Sequence, residues 1–162
     1  MLFRAHLYDL TKADVRFVVI GGVAANLHGM TRATFDLDLC YDPAPANREK
    51  LAAVLRDWNA YLRGIEPGLP FVIDARALAT SHMLTLVTRR GDIDVMDSVA
   101  GVGGFADVLA NSVEFDIDGL RCRILDLPAL IRAKRAAGRK KDRDQLPELE
   151  ALLEMTKKRK RG

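Results

Sequence analysis

Cysteine and histidine are scarce in this chain, and the few present are badly placed for a metal or disulfide framework. The two cysteines, Cys40 and Cys122, each sit inside an apolar segment. That disfavours a disulfide network or cysteine-rich zinc site and predicts buried free thiols. The three histidines, His6, His28 and His82, lie far apart and form no HxxxH or HxH pair, so the usual zinc-ligand spacing is missing. No G-x-S-x-G segment occurs, which leaves a serine nucleophile without its elbow. Nor does any apolar run approach the ~20 residues that cross a bilayer. Arg4 and Asp9 interrupt the N-terminal MLFRAHLYDL before it can act as a signal-peptide core. The expectation is a cytoplasmic protein with no membrane partner.

What is present suits one folded core. The 162 residues are 49% hydrophobic and 29% charged, which fits a single globular domain and gives no sign of disorder. The net charge is only +3, but the basic residues bunch late. Arg121, Arg123, Arg132, Lys134, Arg135, Arg139, Lys140, Lys141 and Arg143 stand against only Asp126 and Asp142, and the chain closes on KKRKRG. Such clustering suits phosphate-bearing partners; a solvated, frayed tail is the plainer account of residues 157–162.

Helical and strand patterns alternate along the chain. Apolar spacing predicts helices over residues 4–12, 23–30, 47–62, 103–110 and 144–157, with Trp58 a core residue. Asp126, Pro128 and Gly138 delimit another helix as cap, first-turn proline and stop. RFVVI at 16–20 is a short buried strand, and residues 34–41 alternate as a second. MLTLVTRRGDIDVMD and VEFDIDGLRCRIL each predict a hairpin, the latter about Asp118-Gly119. Residues 64–74 suggest a loop and a short strand. The antiparallel hairpins, with a strand-helix-strand start that allows a parallel pair, predict a mixed sheet and an α/β or α+β domain.

Two features of that start carry chemistry. Gly21-Gly22 falls between strand and helix, where a backbone without Cβ atoms approaches a ligand closely and free N–H groups hold phosphate oxygens. GGVAAN lacks the third glycine of a dinucleotide fingerprint. Asp36 and Asp38 leave one face of a strand roughly 7 Å apart. Close carboxylates repel unless neutralised, and hard oxygens suit Mg²⁺ or Mn²⁺. A solvent-facing charged strand is the alternative. A further acid lies in GDIDVMD, where Asp92, Asp94 and Asp97 compete; Asp92 and Asp94 share one face with Met96, while Asp97 takes the other.

Gly21-Gly22, Arg32-x-Thr34-x-Asp36-x-Asp38, the later Gly91-Asp92-Ile93-Asp94 and the block from Lys134 to Asp142 together resemble the DNA-polymerase-β-like nucleotidyltransferase superfamily. The similarity is closer to its small branch of abortive-infection (AbiE-type) toxin nucleotidyltransferases and their relatives. Nearly the whole chain is covered. The resemblance implies a minimal nucleotidyltransferase fold over residues 1–156, with 157–162 a disordered basic tail. It implies that Asp36, Asp38 and Asp94 bind metal and carry catalysis, Asp94 taking the third position because the family places that acid mid-strand after one hydrophobic residue. Gly21, Gly22, Arg32, Thr34 and Lys134 then serve the NTP. Arg32 orients Asp36 or binds phosphate and Thr34 bonds the loop, unless both are strand-entry structure.

The expected reaction moves an NMP from an NTP, such as ATP, to a hydroxyl of RNA (tRNA included) or protein, in a toxin-antitoxin context. Partners would be an antitoxin or other chain, with the protein itself a monomer or homodimer. A catalytically silent nucleotide- or RNA-binding module is the alternative. The chain departs from the family in placing Gln145 where a second acid of the final block falls, and in having about one helix beyond the core.

Overall fold

The computed structural model describes residues 3–66 and 68–162. Nine strands and seven helices follow in the order α1 (Arg4–Lys12), β1 (Phe17–Ile20), α2 (Gly21–Leu27), β2 (Asp36–Tyr41), α3 (Pro45–Asp57), β3 (Tyr61–Leu62), α4 (Ala75–Thr80), β4 (Met83–Thr88), β5 (Gly91–Met96), β6 (Ser98–Val99), β7 (Gly103–Gly104), α5 (Phe105–Ala110), β8 (Ser112–Ile117), β9 (Leu120–Leu125), α6 (Leu127–Ala137) and α7 (Lys140–Arg161) among the described residues. Seven strands make one sheet in the order β3-β4-β5-β2-β1-β9-β8; β6 and β7 pair separately.

The sheet is mixed, as its patterns predicted, but the parallel pairs are β2–β5 and β1–β9. β1 and β2 run antiparallel, Ile20 opposite Asp38, although a strand-helix-strand start also allows a parallel pair. Alternation specifies which face a side chain takes and says nothing of strand direction. Both hairpins form as expected. At the second, Asp118 and Gly119 both take positive φ (51° and 86°), the conformation a two-residue hairpin turn needs.

Several boundaries differ from the sequence expectation, including α5, which starts at Phe105 because Gly103 and Gly104 pair as β7. α2 starts at Gly21, so the glycines lie inside its first turn. α3 stops at Asp57 because Asn59 takes positive φ, which frees residues 61–62 to form β3. α4 forms over residues 75–80, to which the sequence pattern assigns no element, with the Asp74 carboxylate accepting from the Ala77 amide at 2.8 Å as its cap, and the short strand expected within residues 64–74 does not form among the described residues. α7 spans residues 140–161 and continues through the basic run expected to be disordered. Lysine and arginine are good helix formers, and cations at a helix C-terminus oppose its dipole.

The core is continuous. Leu37, Leu39, Ile93, Val95, Val18, Val19 and Ile124 are fully buried on the central strands, and Trp58 is buried beside them. Cys40 and Cys122 are buried free thiols, their pKa values pushed up by burial to about 12 and about 11. Among the described residues no helix is long and apolar enough to cross a membrane. α2 packs on β1, β2 and α6, and α6 packs on α7. The two C-terminal helices are thereby brought to the end of β1.

Candidate active site

Parallel, in-register pairing decides where the acids go. β2 and β5 align Asp36 with Asp92 and Asp38 with Asp94, so period-two alternation puts four carboxylates on one face of adjacent strands about 4.8 Å apart. Asp36, Asp38 and Asp94 line a cleft of about 510 Å³; Asp92 does not. The rest of the charged lining comes from α6, α7 and the turn between them and carries Lys134, Arg139 and Lys141, with Asp142 among them. One part of the lining is acidic and the other mainly basic, as a metal-bound polyphosphate requires.

Gly21 also lines the cleft, with φ 63°. A Cβ there would fall onto the Asp38 carboxylate, 3.0 Å from its Cγ and 3.1 Å from its Cβ. At Gly22 a Cβ would meet Thr34 Oγ1 at 2.7 Å. The paired glycines therefore make room for protein side chains, a role the sequence pattern did not suggest. Thr34 Oγ1 in turn donates to the Asp36 carbonyl at 3.3 Å, fixing the entry to β2.

Crowding raises the acids. Burial, then the Asp94 and Asp36 charges, push Asp38 up to about 7, with Lys134 pulling the other way. Burial also raises Asp94, opposed by Arg63. Asp142 goes in the other direction. Burial alone would raise it, but hydrogen bonds from Arg139 and Lys134 outweigh that and hold it below the usual carboxylate range. Its side chain is 1% exposed and accepts from Lys134 Nζ at 3.2 Å and Arg139 Nε at 2.7 Å. Asp142 thus stations Lys134 beside the carboxylates.

Arg32, expected at the nucleotide, and the neighbouring His28 are placed elsewhere. Arg32 turns to α7, where it donates to the Asp144 carbonyl at 3.3 Å and pairs with Glu148 at 3.6 Å. His28 Nε2 donates to the Leu125 carbonyl at 2.8 Å, tying α2 to the end of β9.

The family described as nucleotidyl transferase of unknown function (DUF2204) matches residues 3–160. The chain belongs to this family. Solved structures agree on the fold. The lincosamide antibiotic adenylyltransferase LnuA, with lincomycin bound, superposes with a TM-score of 0.62 at 14% identity, over 93% of this chain and 96% of that one. ANT(2'')-Ia in complex with adenylyl-2''-tobramycin gives 0.57 at 16%, over 98% and 97%. A Thermotoga maritima protein described as a nucleotidyltransferase candidate gives 0.60 at 16%, over 91% and 89%. The comparison with curated proteins finds no match.

In this nucleotidyltransferase the acidic wall suits a hard divalent cation, since three oxygen-donor side chains crowd until Asp38 resists ionisation. Among the described residues, however, no three acids, histidines or cysteines stand in a ready-made metal-holding arrangement. Arg63, which follows β3, holds Asp94 Oδ1 at 2.9 Å and lies 3.3 Å from Asp92 Oδ2. No local pattern announces it, because β3 pairs with β4 through only two residues. A second depression of about 450 Å³, lined by Phe3, Val23, Phe115 and Ile117, has Asp116 and Asp118 but no lysine or arginine among its described lining residues.

Proposed function

We propose that this nucleotidyltransferase transfers an NMP from an NTP, ATP in the first instance, to an acceptor hydroxyl, with Mg²⁺ or Mn²⁺ held by Asp36, Asp38 and Asp94. The observation that carries this reading is the single cleft lined by those three carboxylates together with Lys134, Arg139 and Lys141. A bound divalent cation supplies charge neutralisation at the phosphates and lowers the pKa of the attacking hydroxyl. The chain's own residues do the rest. Asp94 takes the hydroxyl proton as the acceptor oxygen bonds to the α-phosphorus and the bond to pyrophosphate breaks. Lys134, stationed by Asp142, and the neighbouring Arg139 and Lys141 oppose the charge on the departing pyrophosphate. Gly21 and Gly22 offer first-turn amides of α2 beside Asp38.

For the acceptor, the basic end of α7 (Lys157, Lys158, Arg159, Lys160 and Arg161, all exposed) favours RNA, tRNA included. A protein hydroxyl, in a toxin paired with an antitoxin of the abortive-infection kind, is the second macromolecular reading. The antibiotics named for LnuA and ANT(2'')-Ia add a small-molecule hydroxyl. A cytoplasmic location suits the NTP donor of this reading.

One assay separates these readings. The protein is incubated with α-labelled ATP, Mg²⁺ and, in separate arms, total RNA, RNA-free lysate protein, lincomycin or tobramycin. Label should move to one acceptor class, and Asp36→Ala should abolish the transfer. ATP binding without transfer in any arm overturns the enzymatic reading in favour of a silent nucleotide-binding module.

A further inference from the structure

Arg63 is anchored more firmly than an edge arginine needs to be. Its amide donates to the Thr85 carbonyl at 3.0 Å and its Nη2 to the Leu86 carbonyl at 3.1 Å, so backbone and side chain are both fixed to β4. The same Nη2 reaches across that strand to Asp94 Oδ1 at 2.9 Å on β5, while Nε lies 3.3 Å from Asp92 Oδ2. The side chain is 30% exposed and that of Asp94 is 12% exposed. A charge-assisted hydrogen bond there is poorly screened.

This geometry has two effects. The bond to Oδ1 restrains the Asp94 carboxylate on the face where it also meets Asp38. The guanidinium also cancels part of the negative charge that would hold a cation.

We propose that Arg63 is a positioning residue that aims Asp94 and weakens the site's affinity for free divalent cation, so that tight metal binding waits for the NTP's own phosphates. The inference rests on the reading of Asp36, Asp38 and Asp94 as the metal-holding acids. A fixed positive charge a few ångströms from a divalent ion repels it strongly. Removing that charge at a half-buried site raises affinity by roughly tenfold to a hundredfold.

The test measures Mn²⁺ binding to the full chain without nucleotide, by calorimetry or by loss of the free-ion paramagnetic signal, alongside kcat and KM for ATP. Arg63→Gln should bind Mn²⁺ at least about tenfold more tightly yet turn over at least about tenfold more slowly, with KM for ATP moving much less. Arg63→Lys keeps the charge without the fork, so it should bind Mn²⁺ as the parent does and still lose kcat. Unchanged or weaker Mn²⁺ binding in Arg63→Gln overturns the proposal. Should that variant not fold, parental kcat in Arg63→Lys overturns it equally. Asp36→Asn and Asp94→Asn test the underlying reading separately. If neither weakens Mn²⁺ binding, the metal-holding acids are wrongly assigned and the role of Arg63 goes with them; if both weaken it and Arg63→Gln changes nothing, only the role of Arg63 is lost.

Discussion

Replacing Gly21 by alanine adds one methyl group where the structure has space for none. The new Cβ would overlap the Asp38 carboxylate, and it would also lie 3.0 Å from Cγ and 3.1 Å from Cβ of that residue. Rotating the carboxylate moves Oδ2 but leaves the Asp38 Cβ where it is. β2 must therefore shift away from the end of β1, against the Ile20–Asp38 pairing. Alanine at φ 63° adds a backbone cost of about 1–2 kcal/mol, and relief of the overlap adds about 1–2 kcal/mol. The total of about 2–4 kcal/mol corresponds to a fall in Tm of roughly 5–15 °C for a domain of this size. Displacing Asp38 by about 1 Å should cost transfer activity about a hundredfold. Gly22→Ala is the internal control. Its φ is not positive, so only the overlap with half-buried Thr34, Oγ1 at 2.7 Å and Cβ at 3.1 Å, opposes the new methyl group. It should lose about half as much stability. Differential scanning fluorimetry and labelled-NTP transfer read both variants. A Gly21→Ala protein that melts within 1–2 °C of the parent, or one more stable than Gly22→Ala, refutes the packing argument.

Two further substitutions probe the charges. Asp38 is ionised less readily in the fold than in the open chain, so it binds the extra proton when folded. Stability of the chelator-treated protein should decline as pH rises from about 4 to about 7 and then level off, by up to about 4 kcal/mol. Asp38→Asn should flatten that slope and raise Tm at pH 8, and a parental slope in Asp38→Asn melts would contradict the assignment. Asp142 has the opposite sign. Its depressed pKa contributes stability that is present above the ordinary carboxylate range and is lost as pH falls below about 4. Asp142→Asn leaves the largely buried Lys134 ammonium without its carboxylate and should cost about 2 kcal/mol, less than a fully enclosed pair because Arg139 is 61% exposed. A chemical denaturation midpoint unchanged at pH 7 would count against it.

Much of this arrangement could be reasoned from the residues because it depends on local rules. Alternation put Asp36 and Asp38 on one face, Asp118-Gly119 made its turn, and Asp126 and Gly138 bounded α6. What escaped depends on partners remote in sequence. Arg63 reaches its acid 31 residues away, and the apolar spacing that predicts a helix up to residue 62 hides the two-residue sheet edge, Tyr61–Leu62, that precedes it. Arg32 fits a phosphate-binding motif, yet a long α7 offers it the Asp144 carbonyl and Glu148 instead. The glycines were read for backbone freedom toward a ligand, and the backbone alone cannot show that Asp38 and Thr34 fill the vacated space.

The order of strands also bears on how the protein comes into being. β1, near the N-terminus, lies between β2 and β9, and the cleft is closed by Lys134 and Asp142 from α6 and α7. During synthesis the hydrophobic edge of β1 has no partner on one side until residues 120–125 emerge. The basic wall of the cleft arrives later still. A nascent or prematurely ended chain can display all three carboxylates while lacking Lys134 and Asp142 beside them, so on the proposed reading the capacity to use nucleotide is acquired only as the last quarter of the polypeptide folds into place.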